Sequence, residues 1–390
     1  MTKLDQLIKD LCPNGVEYKV IRSICSIDTG EQLNRSGLLE QGPFPVYNGG
    51  INPSGFHTEY NTPANTIAIS QGGASAGFVN FVTVPFWSGA HCYTIQNINS
   101  CITSRFLYFL LKNLEPVLQG KKQGAGIPGL NRKQILDLTI PVPPIAVQNE
   151  IVRILDTFTE LTAELTAELT ARKQQYEYYR NSLLTFDDSV ERKPLLSVAE
   201  TFTGLTYRPS DKTNDGTGTV VLRSSNIQDG KLVFEDTVRV SMPSIPARAM
   251  TKAGDVLVCV RNGSKALVGK SVRIPKISEP MAFGAFMSVL RAKDSLDADY
   301  LYFVWQFVYD NIRKNNDDSM VINQITQKDF AKIEIPVPPL SEQKKIATLL
   351  DRFDKFCNDI VEGLPAEIKA RQQQYEYYRN KLLTFEEVKA

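Results

Sequence analysis

The segment ARKQQYEYYRN at Ala171–Asn181 returns as ARQQQYEYYRN at Ala370–Asn380, and LLTF follows each copy, at Leu183–Phe186 and Leu382–Phe385. An IPVPP motif stands upstream of both, beginning at Ile140 and at Ile335. Repetition at one long period decides the architecture before any single residue does. The chain is two versions of one unit, each of roughly 190 residues, which is a duplicated domain and not a stack of short repeats.

The units are alike well beyond these motifs. Glu17–Gly30 aligns with Glu191–Gly204, Val46–Gly55 with Val221–Gly230, Gly89-Ala90 with Gly284-Ala285, and Leu107–Phe109 with Leu301–Phe303. Matched positions are mostly apolar or glycine, the types that packing and tight turns demand, whereas the loops between them differ. One scaffold carrying two different recognition surfaces is the expected result.

Runs such as NTIAISQGGASAGFVNFVTV in the first unit and GDVLVCVRNGSKALVGKSVRI in the second place β-branched and aromatic residues between Gly and Asn, the pattern of β-hairpins. Each β-rich segment, residues 1–144 and 187–339, passes through IPVPP into a long helix, residues 145–186 and 340–390. Proline ahead of a helix sets the angle of approach without interrupting it. In the first helix Ile151, Leu155, Phe158, Leu161, Leu165 and Leu169 form one stripe. In the second, Ile346, Leu349, Leu350, Phe353 and Phe356 do so before Gly363 and Pro365, which should kink or break the helix. A helix of about 35 residues is about 50 Å long, more than a small domain covers, so the stripes are expected to bury against each other. The fold class is therefore α+β: two β-rich domains joined by two long helices that form an antiparallel coiled coil, with a pseudo-twofold internal repeat.

Composition narrows the class of function. Apolar content of 42% and charged content of 22% suit an ordinary globular protein. No run of about 18 apolar residues occurs, and MTKLDQLIKD lacks the apolar centre of a signal peptide, so a cytoplasmic location is expected. The six cysteines (Cys12, Cys25, Cys92, Cys101, Cys259, Cys357) form no CxxC pair, and His57 and His91 are the only histidines, which argues against zinc and against a disulfide framework. Net charge is +1, with eleven basic and nine acidic side chains in residues 1–144 and twenty and nineteen in residues 187–339. A protein that binds DNA alone carries a basic excess. Any DNA affinity here must come from local patches or be shared with a more basic partner.

Within the first helix, Thr162–Leu165 and Thr166–Leu169 are tandem TAEL tetrapeptides. Twelve residues separate Phe158 from Ala171, whereas sixteen separate Phe353 from Ala370, a difference of one tetrapeptide. This reads as a spacer, although Ala, Glu and Leu would also make a stable helix with no further role. The TAEL tract, the IPVPP and QQYEYYRN phrases and the opening LCPNGVEYK together resemble the specificity subunits of type I restriction-modification systems, over essentially the whole chain. The resemblance implies that each β-rich domain is a target recognition domain reading one half of a split DNA sequence, with the helices setting the gap. It further implies two modification subunits that dock on the chain, bind S-adenosylmethionine and methylate adenine, and restriction subunits that use ATP and Mg. No cofactor is expected on this chain itself. The target sequence does not carry over, because no residue identifies it.

No catalytic or metal site is expected. Gly263–Ser271 looks like a phosphate-binding loop, but five residues separate Gly263 from Gly269 where the motif requires four, and the VGKSVRIP segment reads as a strand. The glycines of Gln71–Gly77 suggest a hairpin loop, and no [DNS]PP[FYW] methyltransferase motif occurs. His57 and His91 have no companion nucleophile, so a structural or DNA-contacting role is expected of each. The tyrosine-rich helix could stack on bases, but its repetition favours packing between helix, domain and partner. DNA contacts are expected from loops where the copies diverge and where Arg, Asn, Gln and Lys gather. In the first unit these are Gln71, Gly72 and Ser75, then Lys121, Lys122 and Gln123. In the second they are Arg223, Ser225 and Asn226, then Arg261, Asn262 and Lys265, then Arg313, Lys314 and Asn315. For each the plain alternative is a solvated loop side chain, and the competing reading of the whole is a coiled-coil adaptor that binds proteins only.

Overall fold

A computed structural model describes residues 2–122, 129–228, 230–275, 281–315, 324–358 and 363–388. It divides into two compact units, residues 1–165 with 368–390, and residues 166–367. Neither unit is a β-rich segment plus the helix that comes after it. Each takes in the first part of one helical stretch and the last part of the other, because the apolar residues of LLTF need a core. Leu184 is buried in the second unit and Leu383 in the first.

In the first unit α1 (Lys3–Leu11) leads to β1 (Glu17–Val20), β2 (Ser26–Thr29), β3 (Phe44–Tyr47), β4 (Gly55–His57), β5 (Thr66–Ser70), β6 (Val79–Val82), β7 (Trp87–Ser88) and β8 (Cys92–Gln96). Then come α2 (Ser104–Asn113), α3 (Glu115–Gly120), α4 (Arg132–Leu136), β9 (Thr139–Val142) and α5 (Ile145–Leu184). A four-stranded antiparallel sheet in the order β2-β8-β5-β6 forms the base, and a smaller sheet, β4-β3-β7, lies beyond it. The alternation read in the sequence places Ile67, Ile69, Val79 and Ile95 against Phe106, Leu107 and Leu110 of α2 in one buried cluster.

The second unit contains β10 (Arg192–Pro194), α6 (Leu195–Val198), β11 (Ala199–Thr203), β12 (Lys212–Thr213), β13 (Thr219–Leu222), β14 (Ile227–Gln228), β15 (Lys231–Leu232), β16 (Val238–Val240), β17 (Val256–Cys259), β18 (Ser271–Arg273), β19 (Met281–Phe283) and β20 (Met287–Ala292). After these stand α7 (Ala298–Asn315), α8 (Gln327–Lys332), β21 (Glu334–Pro336), α9 (Leu340–Asn358) and the start of α10 (Leu364–Leu382). Its base sheet, β11-β20-β17-β18, repeats β2-β8-β5-β6 strand for strand. Its outer sheet, β12-β16-β13-β19, keeps the parallel pair of the first unit: β13 lies beside β19 as β3 lies beside β7.

IPVPP starts as a strand in both copies. Ile140 and Pro141 pair with Lys19 and Tyr18, and Ile335 and Pro336 with Lys193 and Arg192. Only the last two prolines precede the helix. Just inside each helix a buried glutamine closes the corner: Gln148 Nε2 donates to the carbonyls of Pro143 (2.7 Å) and Cys101 (2.8 Å), and its Oε1 accepts from Thr103 N (2.9 Å). Gln343 repeats all three bonds with Pro338 (2.7 Å), Ser295 (3.1 Å) and Asp297 N (2.8 Å). An amide bonded on both ends and shielded from water is costly to replace, which explains why the device survives in both copies.

The helices are anchored differently from the expected stripe-on-stripe burial. Val147, Ile151 and Leu155 bury in the β-rich core of the first unit, and Ile346, Ala347 and Leu350 in that of the second. Leu161, Leu349 and Phe356 remain exposed. Helix meets helix where a phenylalanine of each stripe packs on a tyrosine of the repeated segment. Phe158 stacks on Tyr378 in the first unit, and Tyr179 on Phe353 in the second, the same pair of repeat positions with centroids 5.5 Å apart. In the second unit Arg172 lies over Phe356 while Tyr179 meets Phe353, so rising numbers on α5 face falling numbers on α9, as an antiparallel pair requires. An aspartate on each long helix is held from the β-rich side: Asp156 by Arg105 (2.6 Å) and Asp351 by Arg273 (2.5 Å). At the start of α5, the Arg153 and Lys3 side chains bonded to Glu150 hold its carboxyl down at about 2, tying α1 to the long helix.

Candidate nucleic-acid interface

In the first unit the loop after β5 is pinned by its backbone. Gln71 N donates to His91 O (2.9 Å), Leu130 N donates to Gln71 O (2.8 Å), and Gly72 bridges to Gly129. The side chain of Gln71 ends in an Oε1 that is buried without a partner among the described residues. Gly73 turns the loop at φ +74°, a conformation that favours glycine. Lys122 Nζ reaches across to Ala74 O (2.8 Å), and Lys121 O accepts from Gln134 Nε2 (2.8 Å), so Gln71, Gly72, Ser75, Lys121 and Lys122 are brought together. Gln123 lies outside the described residues.

The second unit joins its loops in the same place. Asn262 Nδ2 donates to Ser224 Oγ (2.9 Å), and Lys270 Nζ to Ser224 O (3.4 Å), which unites the loop after β13 with the loop after β17. Arg261 is exposed, its guanidinium 5.3 Å from the centroid of the Phe286 ring. Ser225 and Lys265 are exposed on the two loops. Arg223 is half-buried and bonds Asp236 (2.7 Å), so part of its charge is already matched. Asn226 departs from expectation: it is buried, its Oδ1 accepts from Arg223 N (2.9 Å) and its Nδ2 donates to Val233 O (3.0 Å). That amide holds the loop's shape and has nothing left for a base. Arg313 and Lys314 are exposed in the last turn of α7, where cations suit the helix end. Arg313 lines a cleft of about 540 Å³ with Lys173, Arg180 and Lys270. Asn315 belongs to α7, and its side chain lies outside the described residues.

The phosphate-loop lookalike is an exposed loop that packs only at Val268 and Gly269 before running into a strand. Its Ser271 starts strand β18, and Gly269 is the floor under Tyr309 and Trp305, whose Nε1 donates to Gly269 O (3.3 Å). Among the described residues no group of His, Cys, Asp and Glu is placed to hold a metal ion. The described cysteines are free, and burial pushes Cys25 and Cys92 up to about 11. No described helix is long and apolar enough to cross a membrane.

Two β-rich domains that share a base sheet and a parallel strand pair, each carrying a rim of polar loops, suit sequence recognition. The family profile "Type I restriction modification DNA specificity domain" matches residues 13–172 and 188–370. The chain belongs to the family of type I restriction-modification specificity subunits, the non-catalytic DNA-recognition component of such systems. It is 28% identical over 405 aligned residues to a putative type I restriction enzyme specificity subunit of Haemophilus influenzae, covering 98% of each chain. It is 31% identical to the EcoR124I/EcoR124II specificity subunit of Escherichia coli over 79% of each. In fold it is similar to the type I S subunit of M. genitalium, with a TM-score of 0.61 at 18% identity over 95% of this chain and 96% of that one. A solved structure from work on assembly and conformational transition of the type I system gives 0.62 at 17%, over 95% and 98%.

The loops of Gln71 and Lys122 in the first unit and of Ser224 and Asn262 in the second thus form equivalent rims, with Asn48, His91 and Phe286 at their centre; His91 was expected to be structural or DNA-contacting, whereas Asn48 and Phe286 were not singled out. His91 N donates to Asn48 Oδ1 (3.0 Å) at the centre of the first rim. The signal was present in the aligned Gly89-Ala90 and Gly284-Ala285, since His91 stands directly after the first pair and Phe286 directly after the second.

Proposed function

We propose that the chain reads a bipartite DNA target, the rim around Gln71 taking one half and the rim around Arg261 the other. The observation that carries this is the repetition of one loop junction on two copies of a scaffold, with different side chains on each. Gln71, Gly72, Ser75, Lys121 and Lys122 serve the first half. Arg223, Ser225, Arg261, Asn262, Lys265, Arg313 and Lys314 serve the second, with Lys holding phosphate and Arg or Gln positioned for base edges. The near-neutral charge of both segments means that much of the phosphate attraction comes from partners.

Those partners are two modification subunits carrying S-adenosylmethionine, joined by restriction subunits carrying ATP and Mg. The repeated tyrosine helices supply matched docking positions: Tyr178 is 70% exposed and Tyr377 61%, although the tyrosines beside them pack against phenylalanine. Purified without partners, the chain is expected to show no saturable heat on titration with S-adenosylmethionine or ATP. Stoichiometric binding by a preparation free of partner subunits would overturn this.

The test of the bipartite reading is exchange of residues 17–139 for the matching segment of a relative, with sequencing of methylated sites afterwards. One half of the target should change and the other stay intact. Alteration of both halves would show that recognition is shared across the units.

A further inference from the structure

The two rims share the backbone bonds that shape them. Gly89 N donates to Tyr47 O (2.8 Å) as Gly284 N does to Leu222 O (2.9 Å), and Gln71 N donates to His91 O (2.9 Å) as Val260 N does to Phe286 O (2.9 Å). Leu130 N donates to Gln71 O, and Ile325 N to Val260 O, both at 2.8 Å. Gly72 is bridged to Gly129, and Arg261 to Gln324. The parallel pairs below agree, Tyr47 lying opposite Ser88 and Leu222 opposite Phe283. The backbone therefore presents residues from the same three points in each unit: Asn48, Gly72 and His91 in the first, Arg223, Arg261 and Phe286 in the second.

All three positions differ in chemistry although these backbone bonds are the same. In a duplicated domain, backbone retained with side chains replaced is where the two copies have come to do different things. Phe286 is the plainest case. It is 59% exposed in the middle of a polar rim, where burial cannot account for a phenylalanine. Arg261 lies over its face, and the ring borders a recess of about 640 Å³ walled by Tyr207, Arg223 and Ser224. His91 at the matching point is likewise exposed, with its backbone fixed on both sides by Asn48 and Gln71.

We infer that His91 and Phe286 are specificity-determining residues at one equivalent position of the two rims, each meeting a base edge of its own half-site. An exposed phenylalanine suits the thymine methyl, with Arg261 beside it suited to a neighbouring guanine; an imidazole suits a hydrogen-bonding edge. The inference rests on the bipartite reading above.

The experiment uses the chain assembled with its modification subunits and reads methylated sites across a genome for wild type, Phe286→Ala, Phe286→His and His91→Ala. Both Phe286 variants should lose preference at one base pair of one half-site, on the order of 10-fold, the scale of one base contact. Phe286→His should acquire a new preference there, and the other half-site should be unchanged. His91→Ala should relax one base pair of the opposite half. Melting temperatures should stay at wild type, since both side chains are exposed. Wild-type target patterns in the Phe286 variants, or a uniform loss of methylation at all sites with the same melting temperature, would overturn the inference while leaving the bipartite reading standing. A wild-type target that is not split would instead overturn that reading.

Discussion

One more Thr-Ala-Glu-Leu inserted after Leu169 should lengthen the spacer of the DNA target by one base pair and leave both half-site sequences as they were. The tract lies on α5, which is continuous from Ile145 to Leu184, and no residue from Leu161 to Thr170 is fully buried, so the insertion removes nothing from a core. The division between the compact units on this helix falls between Leu165 and Thr166, inside the tract. Four helical residues add about 6 Å and rotate the remainder of the helix by about 40°. A base-pair step of B-DNA is about 3.4 Å with a turn of roughly 34 to 36°. Rotation therefore favours one pair, whereas length alone favours nearly two. A domain turned wrongly around the duplex misses its groove, while a few ångströms of surplus length, about 2.6 Å, can be taken up by bending helix or DNA. Methylation mapping of the insertion variant decides it: an unchanged spacer would reduce the tract to a stable helix and nothing more.

The second large effect concerns the glycine that imitates a nucleotide-binding motif. Gly269 sits at φ +82°, and a Cβ there would run into the Tyr309 ring, which is stacked on Trp305 at 5.3 Å in the core of the second unit. Gly269→Ala should destabilise that unit by about 3 kcal/mol, combining left-handed backbone strain of about 1 to 2 with overpacking of about 1 to 3. For a unit of this size the loss corresponds to a melting temperature lower by about 6 to 12 °C. Gly263 is the control, since no atom lies near its missing Cβ and its loop is exposed; Gly263→Ala should stay within about 0.5 kcal/mol of wild type. Thermal unfolding monitored by circular dichroism measures both. Equal melting temperatures for the two variants would mean that the packing of Tyr309 tolerates what the geometry forbids.

Much of the architecture was legible because it rests on types of residue repeated at matched places. The IPVPP phrases, the strand runs and the paired Gly-Ala turns predict two copies of one scaffold, and the strand registers repeat in just those places. Five residues between Gly263 and Gly269, and a strand after them, were enough to set aside a phosphate loop. The loops were legible in part. Residue chemistry picks out Arg261 and Gln71, which the structure places on the rims, but also picks out Asn226, whose amide is spent inside its own turn. It passes over Phe286, since composition alone sends a phenylalanine to a core.

Periodicity gave only part of what the long helices bury. An apolar stripe states that a partner exists and does not name it. Ile151 and Leu155 found a β-rich core within reach, Leu161 and Leu349 did not, and Phe158 and Phe353 of the stripes met tyrosines of the repeated segment, Tyr378 and Tyr179, to make the helix-to-helix contact.

The duplication, the alternation of β-rich domain and helix, the tandem tetrapeptide and the family were determined by the sequence alone, since each is written in local order and spacing. Only the tertiary structure decided which side chains stand together. It completed the first unit with residues 368–390 from the far end of the chain, closed both helix corners with Gln148 and Gln343, and gave residues 48, 72 and 91 of the first unit the places that 223, 261 and 286 hold in the second. The physical reason is that these groupings are made by hydrogen bonds and burial between segments far apart in the chain, which no local pattern records.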